Sequence, residues 1–254
     1  MNRSHANDLY QASAGPFAPP VAVPWWCLAS IASMSHVRYD GVAEWYEGFR
    51  PALKPDELGA LQRLLGTGAG RCLDVGCGTG LATAAVAELG WSAVGIDLSE
   101  DMLEVARGRG LEVVQGSANA LPFGDGTFDA AVSVWTHTDV EDFSSMVRET
   151  ARVLRPEAPV VYIGAHPCFV GPHSLFLGAE GVPELHRGYR PSRRYDSSAP
   201  GVARPDGLRA RVDSAHLPLE VFLNAFLGAG FRVERFEELS DQDYPYTVAL
   251  RARR

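Results

Sequence analysis

Apolar and polar positions alternate along this chain in two different rhythms. Helical spacing, with apolar residues three or four apart, runs from Val42 to Phe49 and again from Asp56 to Leu65, where Pro55 precedes an acidic first turn and Gly66 follows the last apolar residue. Short apolar runs and amphipathic stretches then take turns. Strand Arg71 to Val75 leads to helix Leu81 to Leu89, closed by Gly90, and strand Ser92 to Ile96 leads to helix Glu100 to Arg107, closed by Gly108. Strands Leu111 to Gln115 and Phe128 to Val134, a helix from Asp142 to Leu154 stopped by Pro156, and strand Val160 to Gly164 continue the series. Such a βαβ succession predicts a parallel sheet covered by helices on both faces.

The rhythm fails from Ala165 to Leu217, where Gly, Pro, Arg and His are dispersed through about fifty residues. Irregular stretches of that length in compact domains usually serve as lids or binding loops, so residues 165–217 are expected to form a substrate-facing cap with short helices. Helix Pro218 to Leu227 and strands Phe231 to Leu239 and Tyr246 to Arg251 restore the pattern. At the other end, residues 1–33 are Pro-rich and aperiodic, and are expected to be a disordered extension ahead of a domain spanning 34–254. Val21 to Ala32 is mostly apolar, yet Pro24 interrupts it and the basic segment expected before a secretory core is poor.

Composition narrows the function. At 254 residues and 46% apolar, the chain accommodates one α/β domain with an appendage. A net charge of -8 argues against tight sequence-independent binding of nucleic acid, and leaves a small molecule or a protein as the expected partner. Cys27, Cys72, Cys77 and Cys168 show no C-x-x-C spacing, so neither a disulfide framework nor a zinc module is indicated, and reduced thiols fit a cytoplasmic location. No run of 18 apolar residues exists, so no membrane partner is expected.

The chemistry concentrates in Leu73-Asp74-Val75-Gly76-Cys77-Gly78-Thr79-Gly80, which follows a strand and opens a helix, the context of a nucleotide-binding glycine loop. Its spacing is G-x-G-x-G, with Asp74 two residues before the first glycine. A carboxylate there would repel a pyrophosphate but suits S-adenosylmethionine, which carries an ammonium, a sulfonium and no phosphate; a nicotinamide oxidoreductase is disfavoured on the same ground. Asp97 ends the next strand, 17 residues after Gly80, where a carboxylate accepts hydrogen bonds from ribose hydroxyls.

These motifs, with GIDLSEDMLEVAR (Gly95 to Arg107), GSANALPF (Gly116 to Phe123), FDAAVSVW (Phe128 to Trp135) and RETARVLRP (Arg148 to Pro156), resemble the class I S-adenosylmethionine-dependent methyltransferases, in particular their small-molecule branch (methyltransferase type 11-like). The resemblance covers about half the chain, from about Tyr39 to Gly164. It implies a Rossmann-like, doubly wound α/β fold: a seven-stranded, mostly parallel sheet with an antiparallel last strand, plus a cap insertion after the fifth strand. By position, Asp74 and Gly76, Cys77, Gly78 and Gly80 would run along the methionine moiety, Asp97 would hold the ribose and Leu98 would pack on adenine. Ser117 stands where the family commonly has an aspartate that accepts from the adenine amino group, and Ala118 would offer its backbone N–H. Tyr39 would lie over the donor, where an aromatic face attracts a sulfonium, whereas Trp45 and Phe49 would pack their helix on the core.

The resemblance leaves the acceptor open: the methyl group could pass to O, N or C of a small metabolite, or the fold could serve a donor-binding protein or cyclase without methyl transfer. His137, just past the fourth strand, and His166, after the fifth, are the candidates for a general base, each against the alternative of an ordinary loop histidine. His166, Cys168 and His173 lack a fourth ligand or compact spacing, so no metal is expected. Arg187, Arg190, Arg193, Arg194, Arg204, Arg209 and Arg211 give the cap a local charge of about +5 between Arg187 and Arg211; this reads either as a pocket for an anionic acceptor or as a solvated basic loop.

Overall fold

The computed structural model describes residues 37–176, 182–196, 198, 207–240 and 242–254. The reading of residues 1–33 as an extension lies outside the described residues, as does Arg204. Helices α1 (Ala43–Phe49) and α2 (Pro55–Leu65) precede the alternating core: β1 (Arg71–Val75), α3 (Leu81–Glu88), β2 (Ser92–Asp97), α4 (Glu100–Gly108), β3 (Glu112–Gln115), β4 (Ala130–Val134), α5 (Phe143–Val153) and β5 (Pro159–Ala165). After the cap come α7 (Leu219–Gly228), β10 (Arg232–Leu239) and β11 (Thr247–Arg253). The seven strands lie in the order β10-β11-β5-β4-β1-β2-β3. Neighbours from β3 to β5 run parallel, while β11 is antiparallel to both β5 and β10.

Alternation along the strands makes two apolar layers, because successive side chains leave opposite faces of a sheet. Leu73, Val75, Val160, Tyr162, Val248 and Leu250 face one layer with Phe143 and Met146 of α5 and Phe222 and Phe226 of α7. Cys72, Val161, Ile163 and Ala249 face the other, with Leu61 and Leu64 of α2 and Val86 of α3. Local signals fix the helix ends. Pro55 sits at the first position of α2, while Ser99 and Asp142 cap α4 and α5 by accepting from Met102 N and Ser145 N. The free edge strand β10 carries Arg232, Glu234, Arg235, Glu237 and Glu238, a charge density that discourages further strand pairing.

The cap differs from the expected short helices. Its described residues hold two small antiparallel strand pairs, β6 (Ser174–Phe176) with β7 (Pro183–Leu185) and β8 (Arg193–Tyr195) with β9 (Ser214–His216), and one four-residue helix, α6 (Leu208–Arg211). Strands of three residues present too little periodic pattern to be read from sequence. The cap is tied to the loop after β4: Ala215 N donates to Thr138 O at 2.6 Å, and Arg209 pairs with Asp139 at 2.9 Å. Among the described residues, no helix is long and apolar enough to cross a membrane.

Candidate functional site

Strand order reverses at β1, which pairs with β2 on one side and β4 on the other, so the connections leaving β1 and β4 diverge and open a crevice at their carboxyl ends. A cleft with about 1210 Å³ of atom-free space, part of it open to solvent, lies there. Its floor is the glycine turn. Gly76, Gly78 and Gly80 have φ of 73°, 53° and 86°, a region that side chains with a Cβ rarely occupy. At Gly76 a Cβ would stand 2.4 Å from Thr136 Cγ2, whereas at Gly78 it would meet nothing, so the backbone is open at Gly78. Gly80 opens α3 and does not line the cleft; its Cβ would strike Leu111 Cδ1 at 2.4 Å, so its lack of a side chain serves packing between α3 and α4.

Two carboxylates flank the turn. Asp74, at 1% exposure, accepts a 2.7 Å hydrogen bond from Thr83 Oγ1 through Oδ2, while Oδ1 is buried without a partner. Burial, with Asp97 adding to it, pushes the Asp74 carboxyl up to about 7. Asp97 accepts from Gly78 N at 2.8 Å and Ser99 N at 3.0 Å, and burial raises its pKa against the lowering effect of those bonds. Leu98, Ser117 and Ala118 line the cleft beyond Asp97. Ser117 Oγ accepts from Asn119 N at 3.2 Å, as a turn residue does, and Asn119 is itself committed to Asp142 O at 2.5 Å.

The segment before α1 closes the top. Asp40 accepts from Ser99 Oγ at 2.8 Å and Gly41 N donates to Asp101 at 2.5 Å, which brings Tyr39 to the cleft wall. Tyr39 and Tyr46 meet edge to face at 5.9 Å, and burial raises both phenols, Tyr46 to about 12, so both stay protonated. Trp45 stacks on Phe49 at 4.9 Å.

The two histidines stand elsewhere. His137 is 3% exposed among Phe143, Tyr162 and Phe222, with Nδ1 bonded to the Tyr162 hydroxyl, and burial lowers its pKa to about 3. Trp135, in the left-handed region at φ 62°, redirects the chain after β4, and His137 ends among the rings of the α5 and α7 layer. His166 is 1% exposed; its Nδ1 accepts from Cys168 N, so Nε2 carries the proton given to Glu238 Oε1 at 2.7 Å, on β10. Neither lines the cleft, so the expectation that either acts as a base there is corrected: both are satisfied buried histidines. His173 donates to Cys168 O, and among the described residues no group of three ligating side chains could hold a metal ion.

None of the described cap arginines lines the cleft either. Arg209 pairs with Asp139, Arg194 holds Asp213 through two bonds of 2.9 and 2.7 Å, and Arg211 lies 4.3 Å over the Trp45 ring. The cations at the cleft are Arg38, which bridges Asp139 O, Glu141 and Asp213, and Arg50, which pairs with Glu57. Sequence reasoning missed these, and also Trp135, Thr136 and Asp139 on the cleft wall. The position of Trp135 at the end of β4, beside β1, was the available signal.

Residues 73–162 match the methyltransferase domain family. A demethylmenaquinone methyltransferase of Mycolicibacterium gilvum is 40% identical over 93 residues, 37% of this chain and 41% of that protein. A fatty-acid O-methyltransferase of Mycolicibacterium smegmatis is 40% identical over 103 residues, 38% of each chain. The chain thus spans less than half the length of these two curated relatives. Among solved structures, an S-adenosylmethionine-dependent methyltransferase from Mesorhizobium loti superposes with a TM-score of 0.63 at 26% identity, covering 85% of this chain and 99% of that one. The cyclase SpnF shares the fold, with a TM-score of 0.54 at 21% identity over 78% of this chain and 80% of that one. Residues 73–162 thus carry a methyltransferase domain, in a fold shared with S-adenosylmethionine-dependent methyltransferases.

Proposed function

We propose that this protein moves the methyl group of S-adenosylmethionine to a small-molecule acceptor that enters the same cleft. The observation that carries the reading is Asp74 Oδ1, a buried oxygen with no partner at the end of β1 in a cleft wall. A buried carboxylate oxygen left unpaired is costly, and a cationic ligand group relieves it. In this reading Asp74 and the backbone of Gly76, Cys77 and Gly78 receive the methionine end, which carries an ammonium. Asp97 takes the ribose, Leu98, Ser117 and Ala118 take the adenine, and Tyr39 covers the donor. Gly80 acts through the packing of α3.

S-adenosylmethionine, when bound, supplies an electrophilic methyl group on a sulfonium. The chain's own contribution is to orient donor and acceptor and exclude water, since the described cleft residues include no histidine to remove a proton. The named relatives act on demethylmenaquinone and fatty acids, which supports a small-molecule acceptor with a large apolar part here. Pairing of Arg38 and Arg50 with carboxylates supports an uncharged acceptor, because an anionic one would have to compete with Glu141 and Glu57. The absence of a histidine from the described cleft also favours a second reading, a donor-binding protein or cyclase that uses the fold without methyl transfer.

Incubating the protein with labelled donor and a small-metabolite extract separates these. The expected result is S-adenosylhomocysteine together with a labelled small molecule. Tight S-adenosylhomocysteine binding without turnover on any extract favours the second reading, and no binding at all overturns both.

A further inference from the structure

Trp135 follows β4, beside the strand where the order reverses, and its neighbour Thr136 packs on the glycine turn, with Oγ1 donating to Val75 O at 3.1 Å. Its φ of 62° is a strained conformation for a bulky residue, one that glycine would adopt freely. The backbone therefore gains nothing from tryptophan at this position. The indole is nevertheless held firmly. Its Nε1–H donates to Glu57 Oε1 at 2.7 Å, and Glu57 is fully buried. The second carboxylate oxygen of Glu57 accepts from Arg50 Nη2 at 2.6 Å and Lys54 N at 2.9 Å, while the Arg50 guanidinium lies 5.1 Å over the indole ring. A buried carboxylate needs partners, and here each partner is part of the wall or its support.

Arg50 and Glu57 cancel in charge, so the unit presents a fixed ring without a free charge. Trp135, Arg50, Leu53, Val134 and Tyr46 all line the cleft. The ring is fixed at its edge by Glu57 and on one face by Arg50, with Tyr246 tilted against it at 6.0 Å, and its remaining face is the plane a ligand would meet. An alkyl chain gains nothing specific from a plane, whereas an aromatic acceptor gains a stacking geometry at little ordering cost.

We infer that Trp135 is the acceptor platform of this cleft, that Glu57 and Arg50 are the positioning residues that hold it, and that the acceptor is a planar aromatic molecule. The inference rests on the donor reading above, and the experiment separates the two. Binding of 1-naphthol and of decanoate is measured on protein saturated with S-adenosylhomocysteine, for the wild type and for Trp135→Phe, Trp135→Leu and Glu57→Gln. The wild type binds 1-naphthol in preference to decanoate. Trp135→Leu weakens 1-naphthol about fivefold or more, Trp135→Phe less than Trp135→Leu, and decanoate binding does not change. Glu57→Gln also weakens 1-naphthol and shifts the tryptophan emission, because the amide still accepts from the indole but no longer pairs with Arg50; this variant carries the test should Trp135→Leu not fold. S-adenosylhomocysteine affinity stays the same throughout. No saturable 1-naphthol binding, equal binding by Trp135→Leu and wild type, or preference for decanoate each overturns the platform and leaves the donor reading standing. Loss of S-adenosylhomocysteine binding by the wild type removes both.

Discussion

In the proposed donor site, the unpartnered oxygen of Asp74 makes donor binding depend on pH in a direction that can be worked out. Its carboxyl is pushed up to about 7, so below that pH the ligand-free protein holds a proton that an incoming ammonium must displace. S-adenosylhomocysteine affinity is expected to rise with pH up to about 7 and then level off, and Asp74→Asn to flatten the profile; calorimetry from pH 5.5 to 8.5 checks this. A wild-type profile as flat as the variant's contradicts the assignment. Asp97→Ala is expected to weaken the same ligand by about 1 to 3 kcal/mol, since it removes a charged acceptor. Unchanged affinity would move the ribose site elsewhere. The place of both carboxylates on the cleft was legible in sequence because each stands near a strand end. His137 was misread, because a left-handed residue two positions earlier redirects the chain and no periodicity reveals that.

Among the elements, the strands and helices of the alternating core were readable to within one or two residues, since each buries one face and carries its own stop signal. The turn between α5 and β5 tests how local such signals are. Glu157 adopts φ 65°, and its side chain makes a 3.4 Å pair with Arg232, both groups being largely exposed. Releasing a non-glycine residue from the left-handed region outweighs a solvated ion pair. Glu157→Gly is therefore expected to raise stability by up to about 1 kcal/mol in urea unfolding, after the loss of backbone freedom that glycine brings is set against it. A destabilised variant would mean that the side chain is doing more than the geometry shows. The same substitution logic fails at Trp135, where the indole has buried partners.

For the whole molecule, buried titrating groups set how stability responds to acid. Burial lowers the pKa of His137 to about 3 and of His216 to about 4, and lowers those of His166 and His173 as well. Each contributes stability that is complete above the unfolded value near 6.5 and is lost as pH falls from there through the folded pKa. Asp74 and Asp97 act in the opposite sense: their folded pKa values are raised, so their contribution is present at low pH and lost as pH rises through the folded values. Four histidines against two carboxylates leave a net loss on acidification. The melting temperature is expected to fall between pH 6.5 and 4.5, and more steeply in Asp74→Asn, which removes one opposing group. A melting temperature that holds or rises over that interval would contradict the balance.

The sequence by itself determined the order of elements, the sheet they build and the glycine turn and carboxylates that floor the cleft. Those depend on periodicity, glycine placement and residues at the ends of neighbouring strands, all of which are local. The tertiary structure decided the wall beside Trp135. Trp135 meets Glu57 across 78 residues of chain, with Arg50 beside both, and the cap arginines find Asp139, Asp213 and Trp45 rather than the cleft. Contacts between distant residues depend on where folding brings their elements, so no local pattern carries them.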